Sequence, residues 1–207
     1  MAIVEIPTVV GCIKPNTPRY EVRLAAHDAR VAVVGVELPL PSPALEAAMR
    51  DHAKKVYESQ SWATTYNECG ERWVANNYKG FVGEELLANH YGTHAQRRVG
   101  ASDDGDIPVS PYTLDCKTFQ GFLALKRREV LKILERGTVT HLALVQQRTD
   151  ASPYIFCGVL PITEFLDHPQ GFPFCPYYRA RCWALDARAL IPPSEFLPKG
   201  YMTRKGA

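Results

Sequence analysis

Two aspartates and a lysine near the middle of the chain have the residue types and spacing of a hydrolytic metal site. Asp115 and Lys117 stand two apart in a run of strand-forming residues, so they share one face of the strand while Cys116 faces the other way. Asp106 precedes this strand, and the two prolines between them suit a hairpin that returns Asp106 beside Asp115.

Carboxylates without a softer ligand suit Mg²⁺ or Mn²⁺. A neighbouring lysine can hold an attacking water or offset charge on a phosphate, so the set predicts phosphodiester hydrolysis. The alternative is a surface Asp–Lys pair that arises by chance.

Other kinds of site are disfavoured by spacing. The six histidines include no HxH pair, and Gly92 interrupts the helix that would join His90 to His94, which argues against a histidine-metal or HNH-type site. No two of the six cysteines form a CxxC pair, so a zinc ribbon is not expected. The chain also lacks the glycine-rich loops that bind nucleotide phosphates.

The elements around these residues alternate between strand and helix. Helices are predicted over about 44–58, 63–76, 80–91, 125–136 and 161–166. Strands are predicted over about 3–10, 20–24, 31–38, 96–99, 112–119, 141–147, 154–160 and 179–190, with a turn over 101–105. The fold class is therefore α/β, with a central mixed sheet flanked by helices and an N-terminal β/α extension. We expect the strands over 112–119 and 141–147 to be neighbours in this sheet.

From residue 80 onward, this element order and the charged residues resemble the PD-(D/E)XK nuclease superfamily, whose core is restriction-endonuclease-like. Glu84 follows a glycine on the helix, Asp106 stands at the first aspartate, and Asp115-Cys116-Lys117 stands at the (D/E)xK triplet. The resemblance covers about 80–160. It implies catalytic roles for Glu84, Asp106, Asp115 and Lys117, and a Mg²⁺ ion, replaceable by Mn²⁺, bound by Asp106, Asp115 and the Cys116 carbonyl.

Two of these positions have neighbours that compete for the same role. The gap between the two acids is short for the family, so Asp103 or Asp104 could replace Asp106. Glu84 and Glu85 are adjacent on the helix, and only one of them can face the site. Glu84 is favoured because the family glutamate commonly follows glycine, while a solvated helix face is the alternative for either residue.

Basic residues near the proposed site are candidates for contact with nucleic acid. Arg128, Lys132 and Arg136 are spaced four apart, which places them on one stripe of their predicted helix, opposite its apolar side. Such a stripe could follow a phosphate backbone. Arg97 and Arg98, just before the acidic turn, are a second candidate. For the stripe, the alternative is a solvated face that pairs with neighbouring glutamates.

Composition sets the broad class of protein. The chain has 207 residues, 46% hydrophobic and 22% charged, with a net charge of +2, which suits one compact soluble domain. We expect residues 1–79 to form the extension, packed on a nuclease core over 80–207 that carries C-terminal additions. The near-neutral charge excludes a histone-like tail but allows a locally basic face. Without a signal-peptide-like start or a membrane-length apolar run, we expect a cytoplasmic protein with reduced thiols and no membrane contact.

These observations predict a metal-dependent nuclease that hydrolyses DNA phosphodiester bonds, an endonuclease of restriction or repair type. One alternative is an exonuclease or junction nuclease of a phage or mobile element with the same site. Another is a non-catalytic DNA-binding module that keeps the fold, which the intact set of acids and lysine disfavours. DNA is the expected partner and a homodimer is possible, whereas the choice between DNA and RNA stays open.

Overall fold

The computed structural model describes residues 1–7, 30–59, 70–97, 106–121, 124–165, 174–175, 180–184 and 187–196. Within these ranges the strands are β1 (Ala2–Pro7), β2 (Arg30–Glu37), β3 (Asp106–Val109), β4 (Tyr112–Phe119), β5 (Ala124–Lys126), β6 (His141–Gln146), β7 (Ile155–Pro161), β8 (Phe174–Cys175) and β9 (Ala180–Ala184). The helices are α1 (Pro43–Ser59), α2 (Gly70–His90) and α3 (Arg127–Arg136), with 3₁₀ turns at Ile162–Phe165 and Ala187–Ala189. No helix among the described residues is long and apolar enough to cross a bilayer.

A six-stranded mixed sheet organises the chain, in the order β1-β2-β7-β6-β4-β3. Neighbouring strands are antiparallel except for β4 and β6, which run parallel. The predicted α/β class and the predicted adjacency of β4 and β6 are thus confirmed. The N-terminal strands β1 and β2 continue this same sheet beyond β7, and β5, β9 and β8 form a small second sheet.

Each face of the large sheet carries its own apolar core. On one face, Leu114 and Cys116 of β4 pack in the cluster that holds Val82 and Leu86 of α2. The opposite face carries a cluster built from β1, β6, β7 and the apolar side of α3. Because strand residues alternate between faces, Asp115 and Lys117 lie on the α3 side of the sheet.

Three predicted boundaries were wrong. The strand expected over 179–190 is described as β9 over Ala180–Ala184, and Ala187–Ala189 is a 3₁₀ turn. Tertiary contacts explain the other two. The expected break between two helices before Gly80 is absent, because α2 runs continuously from Gly70 to His90. An interior glycine costs about 1 kcal/mol relative to alanine, and burial of residues such as Phe81 and Leu87 just after it outweighs that cost. The helix predicted from residue 125 begins at Arg127, because Ala124–Lys126 pairs with β9 as a strand.

Some other predictions fall partly or wholly outside the described residues. The strand expected over 20–24 and the turn expected over 101–105 lie outside them entirely. Of the strand expected over 96–99, the described part is a single bridge residue, Gln96, followed by irregular backbone at Arg97.

Candidate metal centre

The β3–β4 hairpin places the two predicted metal ligands at opposite register positions. Asp106 pairs with Asp115 and Pro108 with Thr113, which confirms the hairpin expected from the sequence. The Thr113 carbonyl accepts a hydrogen bond from the Thr140 amide at 2.9 Å, and the Thr113 amide donates to Thr140 Oγ1 at 3.0 Å, both towards β6. Backbone groups alternate sides along a strand, so Asp115 also directs its backbone towards β6. Asp106 and Asp115 therefore form a non-hydrogen-bonded pair, the kind in which opposing residues are closest.

The same alternation determines the direction of the Cys116 carbonyl. Thr113 and Phe119 both direct their carbonyls towards β6, the latter accepting from the Gln147 amide at 2.9 Å. Cys116 differs from both by an odd number of residues, so its carbonyl points to the edge of β4 that faces β3. It lies one residue beyond the backbone pair Asp106–Asp115 in the hairpin.

Lys117 forms a close ion pair with Asp115 on the α3 side of β4. Its Nζ lies 2.9 Å from Asp115 Oδ1, and the side chains are 31% and 15% exposed respectively. Leu114 and Cys116 are buried on the other face, as the alternation predicted. The solvated pair Lys55–Asp51 has both side chains 60% exposed, so the partly buried Asp115–Lys117 pair is not an ordinary surface ion pair.

Helix α2 carries Glu84 and packs on the face of β4 that holds Cys116, which is the face opposite to Asp115 and Lys117. Glu84 is buried, with a side chain only 10% exposed. Burial raises the pKa of the Cys116 thiol well above its ordinary value; the negative charges of Glu84 and Asp115 raise it further, while Lys117 opposes them. Glu84 directly follows Gly83, which packs against Thr118 of β4, whereas Glu85 pairs with Arg97 and His94. This placement favours Glu84 over Glu85 as the site glutamate.

The close approach of α2 to β4 depends on the glycine that precedes Glu84. A Cβ built on Gly83 would overlap the Thr118 side chain, chiefly its hydroxyl oxygen. Only a residue without a side chain lets the helix lie this near the strand. The sequence offered Gly83 as a mark of family resemblance, and the structure gives it a packing reason.

The structure gives Arg97 internal partners that the sequence did not suggest. Its Nη1 donates to Glu85 Oε2 at 2.5 Å and its Nη2 donates to the Phe81 carbonyl at 3.0 Å. Its Nε lies 3.6 Å from Glu84 Oε2, and the side chain is 12% exposed.

The chain returns to α2 through Gly92, which has a φ of 69°. No local pattern links residue 97 to residues 81–85, so sequence reasoning could not find this pairing. The predicted contact of Arg97 with nucleic acid stays a prediction, and it would compete with these bonds.

The remaining predicted residues are only partly described. Arg98, Asp103 and Asp104 lie outside the described residues, as do the side chains of Asp106 and Arg128. On α3, Val130 and Ile133 are buried, Lys132 is exposed and Arg136 is partly exposed, which confirms the amphipathic division of that helix. Glu85 also lies 3.3 Å from His94 through Oε1.

A metal centre is not visible in the described side chains by themselves. Among them, no group of three or more histidine, cysteine, aspartate or glutamate side chains could hold a metal ion. The described cysteines Cys116 and Cys157 are free thiols.

Comparisons of the chain with protein-family models, with curated proteins and with solved structures find no match. The resemblance to the PD-(D/E)XK superfamily is therefore a prediction that depends on the residues of this chain alone, chiefly on the hairpin that pairs Asp106 with Asp115.

Proposed function

We propose that this chain is a divalent-cation-dependent nuclease that hydrolyses DNA phosphodiester bonds through a PD-(D/E)XK-like core. One observation carries the proposal: Asp106 and Asp115 stand opposite each other in a non-hydrogen-bonded pair, with Lys117 beside Asp115. Endonuclease action of restriction or repair type is the preferred form, and it rests on the family resemblance.

Electrostatics at this register position supports a cation ligand. Like charges placed directly opposite on antiparallel strands destabilise the pair. Lys117 supplies one positive charge against the negative charges of Asp106 and Asp115. A small divalent cation would remove this excess. Carboxylate and carbonyl oxygens are also the donors that Mg²⁺ prefers, so the donor set fits the ion.

The residues of the chain divide the proposed chemistry between them. Asp106, Asp115 and the Cys116 carbonyl would hold Mg²⁺, which when bound supplies Lewis-acid polarisation of a phosphate oxygen. The ammonium group of Lys117, fixed by Asp115, would orient the attacking water and offset the negative charge that develops on the phosphate. Glu84 contributes a buried carboxylate whose field reaches the same stretch of β4.

Helix α3 supplies the proposed contact with the DNA backbone. Its buried side, represented by Val130 and Ile133, fixes which side of the helix faces outward. The positions of Arg128, Lys132 and Arg136 fall on that outward side. Three cations in one row can neutralise successive phosphates without reading sequence. Specificity would therefore come from other parts of the chain.

The test is cleavage of supercoiled plasmid and of linear DNA by the full chain in Mg²⁺, with EDTA and Ca²⁺ as comparisons. We expect cleavage in Mg²⁺ and its loss in Asp106→Asn and Asp115→Asn. Asp51→Asn is the matched control, because Asp51 is an exposed α1 residue paired with Lys55. Retained activity in Asp106→Asn alone would transfer the ligand role to Asp103 or Asp104.

The two DNA substrates distinguish the alternative functions from one another. Cutting of the circular plasmid indicates an endonuclease, and shortening of linear DNA alone indicates an exonuclease or junction nuclease. Binding without cleavage in any divalent metal would replace the proposal with a DNA-binding module. Equal cleavage by the wild-type protein and Asp115→Asn would show that the activity does not arise at this hairpin.

A further inference from the structure

A buried charge cluster lies on the α2 side of the site. The side chains of Glu84, Glu85 and Arg97 are 10%, 14% and 12% exposed. Charges removed from water in this way are retained only where they are paired and hydrogen-bonded. Two carboxylates share a single guanidinium here, so the position of Arg97 affects both of them.

The geometry of Arg97 fixes its guanidinium against one turn of α2. Nη1 and Nη2 bind Glu85 and the carbonyl of Phe81, which lie four residues apart and so on the same side of the helix. With these two donors held, the remaining Nε faces Glu84 Oε2 at 3.6 Å. Glu84 in turn follows Gly83, which packs directly against Thr118 of β4. The charges therefore form a series from Glu85 through Arg97 to Glu84, at the contact between α2 and β4.

We propose that Arg97 is a positioning residue that acts on cleavage through Glu84, with Glu85 as the anchor of Arg97. This rests on the proposed nuclease function and deepens it. Arg97 restrains the Glu84 carboxylate, one residue after the Gly83 contact with β4, and through Glu84 it acts on the site. Because Arg97 is largely buried with its terminal nitrogens engaged inside the fold, its contribution does not come from touching DNA. A lysine presents a single point charge and cannot make the same three-way contact.

The test is a double-mutant cycle on single-turnover cleavage, using Glu84→Gln, Arg97→Gln and the double variant, with DNA binding measured in Ca²⁺. We expect Arg97→Gln to slow cleavage by about tenfold or more, with unchanged DNA affinity. The double variant should be no slower than Glu84→Gln alone, since a residue that acts through Glu84 has no effect once Glu84 is gone. Arg97→Lys should rescue little of the rate.

Substitute variants and a control variant keep the test decisive. If Arg97→Gln fails to fold, Arg97→Lys and Glu85→Gln replace it in the cycle, and the same non-additivity with Glu84→Gln is expected. Arg30→Gln is the matched control: Arg30 is partly exposed, pairs with Glu5 and lies on β2, three strands away from β4. Its cleavage rate should equal that of the wild-type protein.

Each contrary outcome identifies what is wrong. Effects of Glu84→Gln and Arg97→Gln that multiply in the double variant would overturn the inference, as would a Glu84→Gln variant of full activity. Weaker DNA binding by Arg97→Gln, with a salt slope reduced by about one, would make Arg97 a phosphate contact instead. A wild-type protein that cleaves nothing would overturn the proposed function, and this inference with it.

Discussion

At the scale of single residues, the ion pair between Lys117 and Asp115 fixes the position of the lysine ammonium group, on which its proposed catalytic role depends. With its Nζ 2.9 Å from Asp115 Oδ1, the ammonium group is held beside a proposed metal ligand on the α3 side of β4. Preorganised charge of this kind typically contributes about 2.7–4 kcal/mol to a transition state. We therefore expect Lys117→Ala to slow single-turnover cleavage by about 100- to 1000-fold.

DNA binding provides the contrast for that prediction. Affinity in Ca²⁺ should change little in Lys117→Ala, because the proposed phosphate contacts on α3 remain. Lys55→Ala is the matched control, since Lys55 is an exposed lysine of α1 that also pairs with an aspartate. A Lys117→Ala protein that loses affinity and keeps its cleavage rate would make Lys117 a phosphate contact and not part of the catalytic edge.

The residues that the sequence could place are those governed by local periodicity. The alternation of a strand was enough to put Asp115 and Lys117 on one face and Cys116 on the other. Arg97 could not be placed in this way, because its contacts with α2 form only after the chain has turned back beyond Gly92. The direction of the Cys116 carbonyl likewise required the pairing of β4 with β6, which sequence periodicity does not specify.

At the scale of elements, the contact between Gly83 and Thr118 sets the distance between α2 and β4. Adding a methyl group at residue 83 forces it into the Thr118 side chain, and overpacking of this kind costs about 1–3 kcal/mol. We expect Gly83→Ala to lower the free energy of unfolding by that amount in urea titrations, and to slow cleavage by moving Glu84. Combining it with Thr118→Ala should restore most of both.

The matched control for this prediction is Gly80→Ala on the same helix. A Cβ at Gly80 has nothing within 4 Å, so this substitution should be neutral or stabilising by helix propensity. If Gly83→Ala is as stable as Gly80→Ala, then α2 can shift without loss and the close packing does not define the site.

The basic stripe on α3 depends on the helix as a whole, because only helical geometry brings its three basic residues into one row. We expect replacement of Arg128, Lys132 and Arg136 by glutamine to weaken DNA binding. The salt dependence of the binding constant should also become less steep, by an amount equivalent to up to about three released counterions. Cleavage at saturating DNA should be close to that of the wild-type protein. An unchanged salt slope would show that the stripe is a solvated face.

Element boundaries were less predictable than element types, for a physical reason that recurs. Gly80 looked like a helix boundary because glycine is a poor helix former, yet the packing of residues around it decides the outcome. Residues 124–126 continue the helical pattern of α3 in sequence, but pairing with β9 makes them a strand. In both places a contact with a distant segment outweighs a local preference.

At the scale of the whole molecule, the order of the sheet explains how the chain can carry a charged site. β4 lies between β6 and β3, so the segment with Asp115 is supported by a parallel buried strand on one side and by the short hairpin partner on the other. The pairing β2–β7 joins segments far apart in sequence. This long-range choice could not be predicted from local patterns, although the mixed α/β class and the adjacency of β4 and β6 could.

The last prediction links the proposed site to the stability of the whole chain. If a divalent cation binds between Asp106 and Asp115 in the folded state alone, it stabilises the fold by mass action, by about 2.7 kcal/mol at one hundred times its Kd. For a chain of this length that corresponds to a rise in Tm of about 5–11 °C.

We therefore expect Ca²⁺ or Mg²⁺ to raise the Tm of the wild-type protein and of Asp51→Asn, and to leave that of Asp115→Asn unchanged. In EDTA, Asp115→Asn should be close to the wild-type protein in stability, because relief of the repulsion between the opposed carboxylates offsets the loss of the ion pair with Lys117. Thermal unfolding followed by circular dichroism measures both effects. A metal-dependent rise of equal size in Asp115→Asn would locate the bound cation away from the β3–β4 hairpin.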